Sequence, residues 1–184
     1  MKKIFTALFL FILSMSVILY ADFIRGVDIS RLLLIEDNGG IYTKSGIQKD
    51  VLEIFTDHHI NYVRLRIWHT PADGYCDLEK TLIMAQRIKD AGLKLMLDFH
   101  YSDTWADPLH QTKPAAWENI SYQALKDSIH HYTSRVITAL KSQNTLPDIV
   151  QIGNEIRCGI LWDDGRVCSL FDTPEQWTQL AELD

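Results

Sequence analysis

Four times in succession the chain passes from a short run of β-formers into a longer run whose apolar residues recur at helical spacing. "FIRGVDIS" (23 to 30) reads as a strand ending in Asp28, and a polar, Gly-rich loop follows it. "IQKDVLEIFTDHH" (47 to 59) then sets Ile47, Val51, Ile54 and Phe55 on one helical face. "NYVRLRIW" (61 to 68) is the second strand, and "DLEKTLIMAQRIKDAG" (77 to 92) is a helix with an Asp cap and a Gly stop. "LKLMLDFHYS" (93 to 102), a helix over 121 to 144 and "DIVQIGNE" (148 to 155) continue the alternation, and "TPEQWTQLAELD" opens a further helix. Such alternation requires parallel strands joined by helical crossovers.

Two architectures satisfy that pattern, a doubly wound open sheet and an eight-fold βα barrel. A dinucleotide-binding sheet carries a Gly-rich turn after its first strand, and "GVDIS" has none. Every strand here ends in polar residues: Asp28, then Arg64 and Arg66, then Asp98 and His100, then Asn154 and Glu155. Barrels of this class build their sites at the C-terminal ends of the strands. The expected fold is therefore α/β, a (β/α)8 TIM barrel. A complete barrel takes roughly 250 residues. The expectation is that this chain holds about the first four βα units, as the front half of a longer, truncated domain over 22–184, with two open sheet edges. Taken alone, such a half is expected to be marginally folded and inactive.

The N-terminus follows another rule. "MKK", an uncharged apolar run and "YAD" follow the order of a secretory signal peptide, with cleavage after Ala21. That places the mature chain outside the cell, in the periplasm or at the cell surface, with no stable membrane insertion after cleavage. The competing reading is an uncleaved N-terminal anchor. A formal net charge of −6 argues against a nucleic-acid partner, because neutralising phosphates needs an excess of Lys and Arg. The cysteines at 76, 158 and 168 are an odd count and form no metal-ligand spacing, so no metal and no cofactor are expected. Cys158 and Cys168 are near enough to bridge, but three unpaired thiols is the plainer reading.

Period two in "VRLRIW" puts Arg64, Arg66 and Trp68 on one face and Val63, Leu65 and Ile67 on the other. The apolar face must meet helices, so the arginines point into the barrel, where buried guanidinium groups need carboxylates. Asp98, inward with His100, is the natural partner, and Arg66 is the arginine it is expected to serve. Arg66 then belongs to an ion-pair network in the barrel core, and Arg64 to the site. Trp105 and Trp117 lie on a strand-to-helix loop, where exposed indoles suit the C–H faces of sugars. The balance puts Trp105 on a ligand and Trp117 in packing. Glu155 follows an otherwise apolar strand, so it is expected against a partly desolvated wall that would raise its pKa and suit it to proton donation. Asn154 beside it can hydrogen-bond a substrate hydroxyl. These features point to a sugar-processing barrel.

"RGVDIS", "VRLRIW", "LDFHYSDTWADP", "QTKPAAW" and "IGNEIRCGILW" together resemble the arabinogalactan endo-β-1,4-galactanase family, glycoside hydrolase family 53, in order and spacing from about residue 24 onward. Cys158, where a small residue is expected, is the departure. The resemblance implies a retaining hydrolase of β-1,4-galactan, the side-chain polysaccharide of pectin, acting as a monomer when complete. It implies that Glu155 is the catalytic acid/base and that Asn154 contacts the sugar 2-hydroxyl. Arg64 would keep the nucleophile ionised, and His100 and Trp105 would line the subsites. Asp28 and Trp68, at their strand ends, complete the expected substrate-binding set. Retaining glycosidases need a second carboxylate about 5–5.5 Å from the first. The family takes it from strand seven, and no residue from 1 to 184 is assigned that role. The alternatives are a barrel hydrolase of mannan or xylan, and a non-catalytic half-barrel that binds carbohydrate and closes its edges by dimerising.

Overall fold

The computed structural model describes residues 23–167. The leader over 1–21, Cys168 and the helix expected from residue 173 lie outside the described residues. Four strands, β1 (Gly26–Asp28), β4 (Tyr62–Ile67), β5 (Lys94–Phe99) and β6 (Ile149–Ile152), form one parallel sheet in that order. Each is hydrogen-bonded to the next of the four along the chain, and helices fill the crossovers: α1 (Leu32–Asp37), α2 (Val51–Asp57), α3 (Leu78–Asp90) and α4 (Tyr122–Ser142). The register pairs Asp28 with Arg64, Arg66 with Asp98 and Asp98 with Gln151, so the polar strand ends rise to one rim.

The alternation in β4 resolves as the sequence requires. Val63, Leu65 and Ile67 are buried, and Leu95, Leu97 and Phe99 repeat the pattern on β5. They meet Met84, Ala85 and Ile88 of α3 and Leu125, Tyr132, Val136 and Leu140 of α4 in one core. Both long helices are capped where the sequence places a capping residue. Asp77 accepts from the Lys80 amide at 2.8 Å, and Ser121 accepts from the Ala124 amide at 3.2 Å. Helix α3 is stopped by Gly92 at φ +72°.

The segment between β1 and β4 departs from expectation. The helix expected from Ile47 starts at Val51, because the Asp50 side chain accepts from the Leu52 amide at 2.8 Å and so fixes the N-terminus there. Ile47 and Gln48 instead form β3 (Ile47–Gln48), paired antiparallel with β2 (Thr43–Lys44). Ser45 and Gly46 join the two strands with φ of 53° and 79°, the left-handed pair that a two-residue hairpin turn uses. The stretch read as a polar loop also contains α1, held by burial of Leu32 against the core. The expectation of three unpaired thiols fails as well: Cys76 is free and buried, whereas Cys158 is disulfide-bonded.

At β6 the helix-facing residues Val150 and Ile152 are 39% and 56% exposed. No helix among the described residues covers them.

The long loop between β5 and α4 is pinned rather than free. Asp103 accepts from the Thr70 amide at 2.8 Å and from the Ala115 amide at 2.9 Å, while Ser102 accepts from the His69 amide at 2.8 Å through its carbonyl. Trp117 is buried here, 4.9 Å from the His69 ring and 5.9 Å from Tyr132, the packing role expected of it. Burial lowers the His69 pKa from its ordinary 6.5, the Asp103 carboxylate opposes that shift, and Arg135 adds to it. A histidine whose folded-state pKa is depressed stabilises the fold above its unfolded pKa and loses that contribution as pH falls through it. Urea midpoints are therefore expected to fall between about pH 7.5 and about pH 5.5, and His69→Gln should flatten part of that fall. Parallel curves for the two proteins would exclude His69 as the cause.

Candidate active site

Arg64 organises the rim. Its Nη1 donates to Asp28 Oδ2 at 2.8 Å, and its Nη2 donates to Asp98 Oδ2 at 2.5 Å and to Asn154 Oδ1 at 2.9 Å. One guanidinium thus ties together β1, β4, β5 and the segment after β6, because its fork of donors can address several acceptors at once. Asp28 is held in turn by Ser30, whose amide and hydroxyl reach Oδ1 at 3.0 and 2.6 Å. The Ser30 hydroxyl also accepts from the Arg66 amide at 2.9 Å.

The expected pairing of Asp98 with Arg66 is not what forms. Although Arg66 and Asp98 are register neighbours, Asp98 is served by Arg64, and the Arg66 guanidinium turns to the aromatic residues. It stands 4.1 Å from the centre of Trp105 and 5.2 Å from that of Trp68, and its buried Nε has no hydrogen-bond partner. The physical reason is competition for the guanidinium: the faces of Trp105 and Trp68 hold Arg66 by cation–π contact, and Arg64 Nη2 takes Asp98 Oδ2.

Trp68 and His100 are buried beneath this rim. Trp68 Nε1 donates to His100 Nδ1 at 3.2 Å, and the Ala106 amide donates to the same nitrogen at 3.1 Å. With Nδ1 accepting, the ring proton sits on Nε2, which lies 3.1 Å from Asp98 Oδ2 outside hydrogen-bond geometry. Above them Trp105 is 50% exposed, with its ring 6.1 Å from Trp68 and 5.5 Å from His100. Of the aromatic residues expected to meet a ligand, Trp105 offers an open surface and Trp68 supports it from below.

Asn154 and Glu155 end the apolar strand as their sequence suggested, but in different environments. The Asn154 amide is oriented from both sides, its Oδ1 toward Arg64 and its Nδ2 donating to the Ala106 carbonyl at 2.7 Å. One N–H remains for another acceptor. Glu155 is exposed rather than set against an apolar wall. Period two would set Glu155 on the rim face with Gln151, whose Oε1 lies 3.4 Å from Arg64, but the strand ends at Ile152 and the alternation does not carry through to Glu155. Glu155 also takes φ +51°, a left-handed conformation that swings it off the strand direction.

A parallel sheet with consecutive strand order, a strand-end arginine clamp and an Asn-Glu pair at the rim is the setting in which similarity to known proteins becomes informative. The family model described as glycosyl hydrolase family 53 matches residues 24–183. The chain belongs to that family. Among relatives of this family-53 chain, the probable arabinogalactan endo-β-1,4-galactanase A of Aspergillus terreus is 44% identical over 142 residues, covering 77% of this chain and 41% of that protein. The arabinogalactan endo-β-1,4-galactanase of Thermothelomyces thermophilus is 41% identical over 164 residues, covering 86% and 46%. Among solved structures, a fungal β-1,4-galactanase superposes with a TM-score of 0.76 at 40% identity, covering 87% of this chain and 46% of its own. The GH53 catalytic domain of Ignisphaera aggregans gives 0.77 at 40% identity, covering 91% and 47%. The family-53 chain thus has the (β/α)8 barrel fold, of which the described residues show four consecutive strands and the helical crossovers between them, and it spans less than half the length of these relatives.

Sequence reasoning missed Ser30, Gln151 and Gln111 at this rim. Gln111, inside the "QTKPAAW" stretch, is buried beneath Asn154. Its signal was an amide in the middle of a loop otherwise rich in aromatic and charged residues, which gives no hint of where the amide points.

Proposed function

We propose that this chain supplies the acid/base side of an endo-acting, retaining β-1,4-galactanase. The observation that most supports the reading is the exposed Glu155 beside the oriented Asn154 amide, at a strand-end rim, in a family-53 chain whose relatives include arabinogalactan endo-β-1,4-galactanases. In this reading Glu155 protonates the glycosidic oxygen and later deprotonates the attacking water. The free N–H of Asn154 takes a sugar hydroxyl, and Asp28 and Arg64 border the same subsite. Asp98 and Asp28 are held by Arg64 and do not attack. The nucleophile is a carboxylate from outside residues 1–184, as the strand-seven position of the resemblance implies. Trp105 is the stacking platform, with Trp68 and His100 as its support. The apolar leader over 1–21 exports the protein to its polysaccharide.

The deciding experiment is release of galacto-oligosaccharides from β-1,4-galactan by the complete gene product, beside mannan and xylan. Cleavage of either of those in preference to galactan would replace the substrate assigned here, and binding without cleavage would make the protein a carbohydrate-binding one. Trp105→Ala is expected to weaken galacto-oligosaccharide binding about tenfold, the scale of one lost stacking contact, read by calorimetric titration. Unchanged affinity would remove Trp105 from the subsites.

A further inference from the structure

Gln111 is 2% exposed, far from the chemistry in sequence, and no step of the proposed reaction uses it. Its Nε2 donates to two backbone carbonyls, Asn154 O at 2.7 Å and Asp107 O at 3.1 Å. The Asn154 carbonyl belongs to the peptide unit that joins Asn154 to Glu155. Holding that oxygen fixes the peptide plane about which Glu155 takes its left-handed φ of 51°. Few residues could do this. Two acceptors converging on one atom need an atom with two N–H bonds, which a primary amide has and a carboxylate or thioether lacks. The amide orientation follows from the same two carbonyls, and the cost is visible on the other side, where Oε1 is buried without a partner.

The surroundings make Gln111 a junction and not a filler. Its own carbonyl accepts from the Trp162 amide at 2.7 Å, and Thr112 bridges to Trp162. Lys113 pairs with Asp164 one step further on. The loop after β5 and the loop after β6 are thereby stitched together, with the stitch nearest the site ending on the Asn154–Glu155 peptide.

We infer that Gln111 is a positioning residue that aims the Glu155 carboxyl by holding the Asn154–Glu155 peptide. This extends the proposed function, since it takes Glu155 as the acid/base. A general acid matters most when the leaving group is poor. Loss of its aim should therefore slow galactan cleavage far more than cleavage of an aryl galactobioside whose phenol departs without protonation.

The test is Gln111→Met in the complete gene product, with Gln111→Glu as the isosteric second variant that also lacks the NH2 group. On galactan kcat is expected to fall about tenfold or more with KM within about twofold, while the activated aryl substrate loses less than about threefold. Amide hydrogen exchange at residues 155–157 should rise, with β4 and β5 unchanged. Equal losses on both substrates, or exchange raised throughout, would mean that Gln111 only holds the fold, and would overturn the inference. So would unchanged kinetics and exchange. If the parent protein cleaves neither substrate, the proposed function falls, and exchange at residues 155–157 alone decides: no local rise in the variants overturns the positioning role.

Discussion

Glu155→Gln in the complete gene product is expected to lower kcat/KM on β-1,4-galactan by about 10²–10⁴, the contribution of a well-placed general acid/base. The substitution keeps shape and removes the transferable proton. Glu155 is exposed, so stability should stay within about 0.5 kcal/mol of the parent, and the loss will be chemical rather than structural. The assay is release of reducing ends from galactan, with thermal melts of both proteins as the folding control. Retained activity would take the acid/base role away from Glu155. A lower melting temperature accompanying the loss would leave folding as its cause.

The second large effect is on stability. Arg64→Met is expected to cost about 3–5 kcal/mol, the scale for stranding one member of a buried ion pair. Asp98 is 0% exposed, its Oδ1 already lacks a partner, and Oδ2 receives Arg64 Nη2 at 2.5 Å. Without the guanidinium the carboxylate keeps only the His100 Nε2 contact at 3.1 Å against its desolvation, and Asn154 and Asp28 lose the donor that aligns them. Total stability of a domain is about 5–15 kcal/mol, so the variant should unfold at much lower urea. Arg66→Met is the contrast. Arg66 has aromatic neighbours in place of a carboxylate, and its removal should cost less than that of Arg64. Asp98→Leu combined with Arg64→Met should recover part of the loss, because it removes the buried charge itself. A cost below about 1 kcal/mol for Arg64→Met would show that water reaches Asp98 and that the clamp is weaker than its geometry.

These two arginines show how much of the site was legible in advance. Period two put Arg64, Arg66 and Trp68 on one face and Val63, Leu65 and Ile67 on the other, and the second set enters the helix-facing core while Arg66 and Trp68 are buried beneath the rim. Partner choice was not legible. Strand register brings Arg66 beside Asp98, yet the bond goes to Arg64, because the placement of Trp105 and Trp68, which take the Arg66 guanidinium, lies in three dimensions and not in the strand pattern. Glu155 is a similar case. Its position at the end of an apolar strand was readable, but its exposure follows a left-handed turn beyond the strand that the period-two pattern does not encode. The hairpin of β2 and β3 was hidden by Ile47, which continues the helical spacing although Asp50 starts the helix later.

By itself the sequence determined the βα alternation, the faces of β4 and β5, the cap at Asp77, the stop at Gly92 and the polar rim, since each depends on residue type at fixed local spacing. Only the tertiary structure decided that Asp98 belongs to Arg64, that Trp68 supports while Trp105 is open, and that Gln111 reaches the Asn154 carbonyl. Those choices join residues tens of positions apart, and they are made by distance, burial and hydrogen-bond geometry that no local pattern encodes.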